Sequence, residues 1–147
     1  MSVRRSRFAL GLVTLTLAAC ATPRPEGPAP SGDGVTMRDG ATIISGVALQ
    51  DGRGPLLSAL EGKVPNLRIQ RSANECPTIS LRSHVTFQSL VNPHVYVDGT
   101  RATDTCVLEM LRSEDVESVE VYPMGFTKRP GYGTHAHGLI LVFMRSG

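Results

Sequence analysis

The chain has 147 residues, 15 Lys+Arg against 13 Asp+Glu, no Trp and 5% aromatic residues. Arg4, Arg5 and Arg7 stand at its start, so the remainder carries 12 basic against 13 acidic groups. That near-neutral balance lacks the basic field nucleic-acid binding needs, and with so few aromatics the core must be built from Val, Leu and Ile.

The three arginines, an apolar stretch from Phe8 to Ala19 and small residues before Cys20 have the organisation of a secretory signal. The apolar stretch is about a dozen residues long, short of the roughly 20 that span a bilayer as a helix. Leu17-Ala18-Ala19-Cys20 resembles the bacterial lipobox; an ordinary cleaved signal with an incidental cysteine is the competing reading. The resemblance implies that residues 1–19 are a lipoprotein signal peptide and that Cys20 is lipidated as the first mature residue. Each buried CH₂ contributes about 0.8 kcal/mol, so one acyl chain holds weakly and two or three hold stably. Ala21 stands where lipoproteins retained in the inner membrane often carry aspartate. This implies the outer membrane, periplasmic face, as the address, and export argues again against nucleic acid.

Residues 20–40 are rich in Pro, Gly, Ala and Ser, as in Thr22-Pro23-Arg24-Pro25-Glu26-Gly27-Pro28-Ala29-Pro30. With few apolar side chains to offset backbone ordering, they read as the lipidated cysteine and a disordered tether. Residues 41–147 are then one domain's worth of chain.

In that domain, Ile43 to Leu49 is a short apolar opening, as a strand or the lead into a helix, and Asp51-Gly52-Arg53-Gly54 is a turn. Pro55 suits the first turn of a helix, along which Leu56, Leu57, Leu60 and Val64 make one apolar face over about two and a half turns. Gly62 and Pro65 close it. Leu67-Arg68-Ile69-Gln70, Ile79-Ser80-Leu81-Arg82 and Pro93-His94-Val95-Tyr96-Val97 read as strands, the last ended by an Asp98-Gly99 turn. Thr103 or Asp104 can cap a helix bearing Val107, Leu108 and Leu111. Ser113-Glu114-Asp115 resembles a second cap before a strand ending at Tyr122. Gly138 to Met144 is apolar on both faces, which predicts a central or covered strand. The fold class expected is α+β: a small mixed β-sheet with short helices.

The order of these pieces resembles the plug domain of TonB-dependent receptors. Leu60-Glu61-Gly62-Lys63-Val64-Pro65-Asn66-Leu67-Arg68-Ile69 is similar to the plug segment "ALxGxVPGLxV", and Ile79-Ser80-Leu81-Arg82 to "IxIRG". Val95-Tyr96-Val97-Asp98-Gly99 resembles "PLYVVDG", and Glu114-Asp115-Val116-Glu117-Ser118-Val119-Glu120-Val121 resembles "xDIESIEVLKG". Tyr132-Gly133 through Val142 is similar to "LYGxxxxxGVIxITTK". Each block is weak alone; their shared order, covering residues 55–147, is what carries the resemblance.

Departures qualify what it implies. A receptor barrel of about 22 strands needs roughly 220 residues before any loops, so this chain is expected to be a plug without its barrel. Arg82-Ser83 replaces the plug's Arg-Gly, and no convincing TonB-box segment stands in the tether. Where plugs carry an alanine-rich helix, this sequence has Phe126-Thr127-Lys128-Arg129-Pro130-Gly131. Pro130 and Gly131 disfavour a helix, which predicts an exposed loop.

Chemistry-bearing residues are few. In an oxidising periplasm Cys76 and Cys106 read as a disulfide; two free buried thiols are the alternative, and no CxxC spacing supports redox or metal chemistry. His135 and His137 share a face if extended but lack evident third and fourth metal ligands, and His84 and His94 join them only through folding. Glu114, Asp115, Glu117 and Glu120 read as a solvated face, with the intervening valines turned to the core. Phe126, Lys128, Arg129 and Tyr132 form the candidate interaction loop, cationic and aromatic together. No nucleophile elbow or phosphate loop occurs, so neither enzymatic activity nor a cofactor is expected. The expectation is a non-catalytic binding module associated with outer-membrane transport. Its partners would be membrane lipid, through Cys20, and an outer-membrane barrel or other envelope protein. The alternative is a small-ligand or metal-binding accessory lipoprotein for uptake.

Overall fold

The computed structural model describes residues 34–51, 53–82 and 91–146. The expected signal peptide, Cys20, Ser83 and His84 lie outside them, as does most of the expected tether.

Strand β1 (Gly34–Arg38) pairs antiparallel with β2 (Ala41–Ser45). Residues 34–40 were expected in the disordered tether; instead they complete a hairpin. Asp39 (φ 51°) and Gly40 (φ 77°) make its two-residue turn in the left-handed backbone region that an Asp-Gly pair tolerates and twisted hairpins require. The apolar opening is both a strand and a helix lead, since α1 (Val47–Gln50) follows β2 directly.

Helix α2 (Leu56–Leu60) is shorter than its periodicity predicts. Glu61 leaves the helical region at ψ 132° and Gly62 has φ 76°, so the chain unwinds before completing a second turn. The backbone N–H of Val64 still donates to the carbonyl of Leu60 at 3.2 Å, which keeps Val64 buried beside Leu56, Leu57 and Leu60. Burial is worth roughly 1.5–3 kcal/mol for each such side chain, enough to hold a helix too short to be stable alone. Strands β3 (Arg68–Gln70) and β4 (Thr78–Ser80) form a separate antiparallel pair.

The main sheet continues with β5 (His94–Val97) and β6 (Thr100–Arg101), joined through Asp98 (φ 47°) and Gly99 (φ 83°). Helix α3 (Val107–Met110) and a 3₁₀ turn at Ser113–Asp115 lead into β7 (Val116–Tyr122), and β8 (Leu139–Met144) closes the fold. The six strands lie in the order β1-β2-β7-β8-β5-β6, antiparallel except for β5 beside β8. As its two-sided apolarity predicts, β8 is central.

The sheet buries both faces. Val95, Val119, Val121, Ile140 and Val142 meet the helices on one side. Tyr96, Tyr122, Leu139 and Leu141 form a smaller cluster on the other. A register shift between Val116 and Ser118 returns Val116 to the helix side together with Val119 and Val121. The expected α+β class, a small mixed sheet with short helices, is the one observed.

Candidate functional site

Among the described residues no helix covers the second face. The segment between β7 and β8 folds back across it instead. Its base is closed by main-chain bonds: the N–H of His135 donates to the carbonyl of Gly125 at 2.8 Å, and that of Gly138 to the carbonyl of His135 at 3.0 Å. Gly125 has φ 73°, and a Cβ there would lie 1.6 Å from the carbonyl oxygen of His135, so no side chain fits.

Within this strap the four candidate interaction residues divide. Arg129 turns inward: Nε donates to Oε2 of Glu120 at 2.7 Å and Nη2 to Oε1 at 2.5 Å. Its guanidinium also lies 4.9 Å from the centre of the Phe143 ring. Tyr132 meets Tyr96 edge to face at 5.1 Å. Phe126 remains 56% exposed and Met124 beside it 60%. Lys128 is outermost and reaches Asp39 at 3.1 Å. The expected exposed loop is therefore half anchor and half presented surface.

Glu120 corrects the expectation of a wholly solvated acidic face. Glu114 is partly exposed and pairs with Arg112 at 2.7 Å, and Asp115 and Glu117 are exposed. Glu120, however, is only 4% exposed and accepts a further bond from the Tyr122 hydroxyl at 2.8 Å. Hydrogen bonding to Glu120 holds the Arg129 guanidinium above its usual pKa. Burial, reinforced by Glu120, pushes the Tyr122 phenol up. A cleft of about 350 Å³ lies beside these groups, lined by Arg38, Asp39, Tyr122 and Lys128 among others.

Cys76 and Cys106 are disulfide-bonded, with Cα atoms 4.7 Å apart. The bond ties the chain between β3 and β4 to the start of α3. Next to it the Thr105 hydroxyl donates to the carbonyl of Pro77 at 2.5 Å, and Asp104 Oδ1 accepts the Cys106 N–H at 3.0 Å. Asp104 thus braces the turn before α3, while the N-cap of that helix is Cys106 and carries no side-chain cap bond, unlike the expected Thr103 or Asp104 cap. Among the described residues, the group of three with metal-ligand spacing is Cys76, Asp104 and Cys106, and both sulfurs are spent in the disulfide.

Folding also gathers histidines that sequence spacing left apart. The rings of His94 and His135 stack at 3.6 Å with 19° between their planes, and His137 lies 5.4 Å from His135. Arg101, which sequence reasoning missed, places Nη2 2.7 Å from Nε2 of His94. Burial first, then His135 and Arg101, hold His94 below the ordinary histidine pKa.

No family model and no curated protein matches this sequence, but solved structures do. A chain of the RagAB peptide importer in its "closed-closed" state superposes with a TM-score of 0.57 at 17% identity, over 76% of this chain and 13% of that one. A chain of the RagAB peptide transporter gives 0.55 at 18% identity, again over 76% and 13%. The "open-open" importer gives 0.52 at 16%, over 71% and 12%. The present chain therefore spans about an eighth of the length of these neighbours. At such identities the likeness is one of fold.

Proposed function

We propose that this protein is a lipid-anchored, non-catalytic interaction module with a plug-like fold, held at the periplasmic face of the outer membrane through Cys20. It docks to an outer-membrane barrel or another envelope protein and serves transport there. The observation that carries this reading is the shared fold with peptide-importer chains, at a TM-score of 0.57 over 76% of the chain, in a sequence whose blocks follow the plug order. The strap between β7 and β8 supplies the docking surface, since Arg129 and Tyr132 fix it while Met124, Phe126 and Lys128 face outward.

Crosslinking of the tagged protein in its native envelope, followed by mass spectrometry, tests the proposal. A barrel protein recovered in near-equal amount is the expected result. Recovery of lipid and unrelated lipoproteins alone counts against it.

A second reading, an accessory lipoprotein binding a small ligand or metal, draws on the meeting of His94, His135 and His137 beside Arg101. Saturable binding in calorimetry supports it, and flat titrations remove it.

A further inference from the structure

We propose that the pocket at the start of β5 binds a small oxyanion, a carboxylate or phosphate group, between Arg101 and the stacked imidazoles of His94 and His135. The inference rests on the ligand-binding reading of these histidines and names the chemistry of the ligand.

One hairpin and one segment distant in sequence supply the site: His94 from β5 and Arg101 from β6, with His135 from the segment before β8. Together with Asn92, Thr103 and Asp104, among others, they line a pocket of about 260 Å³, ample for a carboxylate or phosphate with an attached group. A guanidinium only donates hydrogen bonds and keeps its charge. The 2.7 Å contact therefore makes Nε2 of His94 the acceptor and His94 neutral. Nδ1 of His135 is buried and has no hydrogen-bond partner among the described residues, which leaves a polar atom open to a ligand.

These features suit an anion better than a metal ion. Arg101 occupies the lone pair that a metal needs and presents it with a fixed positive charge. Near-parallel rings 3.6 Å apart aim their lone pairs side by side rather than at one point. An oxyanion instead accepts from Arg101 and, once His94 is protonated, from His94 as well. Protonation otherwise sets two cations against each other with no acceptor between them. The charged and titratable groups facing His94 are Arg101 from β6, His135 from the segment before β8, and Asp104 from the turn after β6; His137 lies 5.4 Å from the His135 ring. Asp104 keeps its full charge while Oδ1 accepts the neutral Cys106 N–H, but among the described residues no ion pair joins it to Arg101, whose remaining N–H groups stay available to an anion. The His94 pKa, lowered by burial and then by His135 and Arg101, agrees with a protonated form that lacks an acceptor beside Arg101. Anion binding and His94 protonation are consequently linked: each favours the other.

The test is a ring NMR titration of the four histidines in the full chain between about pH 8 and pH 5.5, a range in which imidazole changes charge. Parallel series contain sodium acetate, sodium phosphate, zinc chloride or none of these, at constant ionic strength. Acetate or phosphate is expected to raise the His94 pKa by about one unit, equivalent to roughly tenfold tighter binding of the anion to the protonated form. Response to acetate alone identifies a carboxylate, and response to both a general oxyanion site. Arg101→Gln should abolish the shift, whereas His137→Gln should leave it. A His94 pKa unmoved by both anions overturns the proposal. If zinc then perturbs His94, His135 and His137, the ligand-binding reading survives with a metal; silence toward all three probes ends both.

Discussion

Arg129 and Glu120 lie nine residues apart, one in the strap and one inside β7, and meet through two hydrogen bonds of 2.7 and 2.5 Å. Their exposure is unequal: the Arg129 side chain is 51% exposed and that of Glu120 6%. The carboxylate therefore depends on the arginine more than the reverse. The pair also does what a helix would otherwise do, fixing a cover over the aromatic face of the sheet at Tyr122 and Phe143.

Removing the two partners should accordingly cost different amounts. Arg129→Met leaves a buried carboxylate with the Tyr122 hydroxyl, and we expect a loss of about 2–3 kcal/mol. Glu120→Gln leaves a cation that can turn to water, and should cost about 1 kcal/mol. Urea unfolding of both variants and of the double variant measures the coupling. Equal losses of a few tenths would show that the pair does not hold the strap.

The Cys76–Cys106 bond has a separation of 30 residues, for which the chain-entropy model gives roughly 3–4 kcal/mol. Cys76→Ser/Cys106→Ser should lower stability by about that amount in denaturant, and reducing agent should do the same to the natural protein. The midpoint of the double variant should not respond to reductant. A variant as stable as the parent would mean that the bond closes a loop already ordered when unfolded.

His94 gives the molecule an acid sensitivity whose sign follows from its environment. Its folded-state pKa is lowered by burial, then by His135 and Arg101, so the neutral form is the one folding favours. That contribution is fully present above the unfolded histidine pKa of about 6.5. It is lost as pH falls toward and through the lower folded value, because the unfolded chain takes up a proton that the native one resists. Urea midpoints measured downward from about pH 7.5 should decline through this window. His135→Gln and Arg101→Gln, each removing one depressing neighbour, should make the decline shallower. His94→Gln should remove its contribution, and a slope unchanged in His94→Gln would assign the effect elsewhere.

Much of the fold was legible because its signals are local. The apolar residues of β8 on both faces marked a central strand, and the Asp98-Gly99 pair marked the turn that ends β5, though not the short β6 after it. The same Asp-Gly signal stands at Asp39-Gly40, where the Pro-rich composition upstream masked it and displaced the domain boundary. Glu120 was misread since acidic residues flank it at 114, 115 and 117, although its neighbours Val119, Val121 and Tyr122 all face buried environments. A charge in a strand buried on both faces needs a partner, and that requirement was readable. The meeting of His94, His135 and Arg101 was not: it depends on β5 lying parallel to β8, a long-range pairing that no local pattern encodes.

The outward half of the strap supplies the remaining prediction. Met124 and Phe126 are large apolar side chains at 60% and 56% exposure, close to the cationic Lys128, whose own side chain is 85% exposed. Exposed apolar groups beside a charge are typical of a docking surface with a hydrophobic centre and polar rim. Phe126→Ser combined with Lys128→Glu should reduce recovery of a crosslinked envelope partner at least tenfold, since loss of one aromatic anchor costs about 2 kcal/mol and reversal of a rim charge adds to it. Because Phe126 is exposed and the Lys128–Asp39 pair is a solvent-exposed one, worth about 0–1 kcal/mol, the unfolding midpoint should stay near that of the parent. Arg129→Met provides the contrast, as it should weaken crosslinking and stability together by loosening the strap. If the double variant keeps its partner at parental yield, docking uses another surface, with the β1 edge next to be tested.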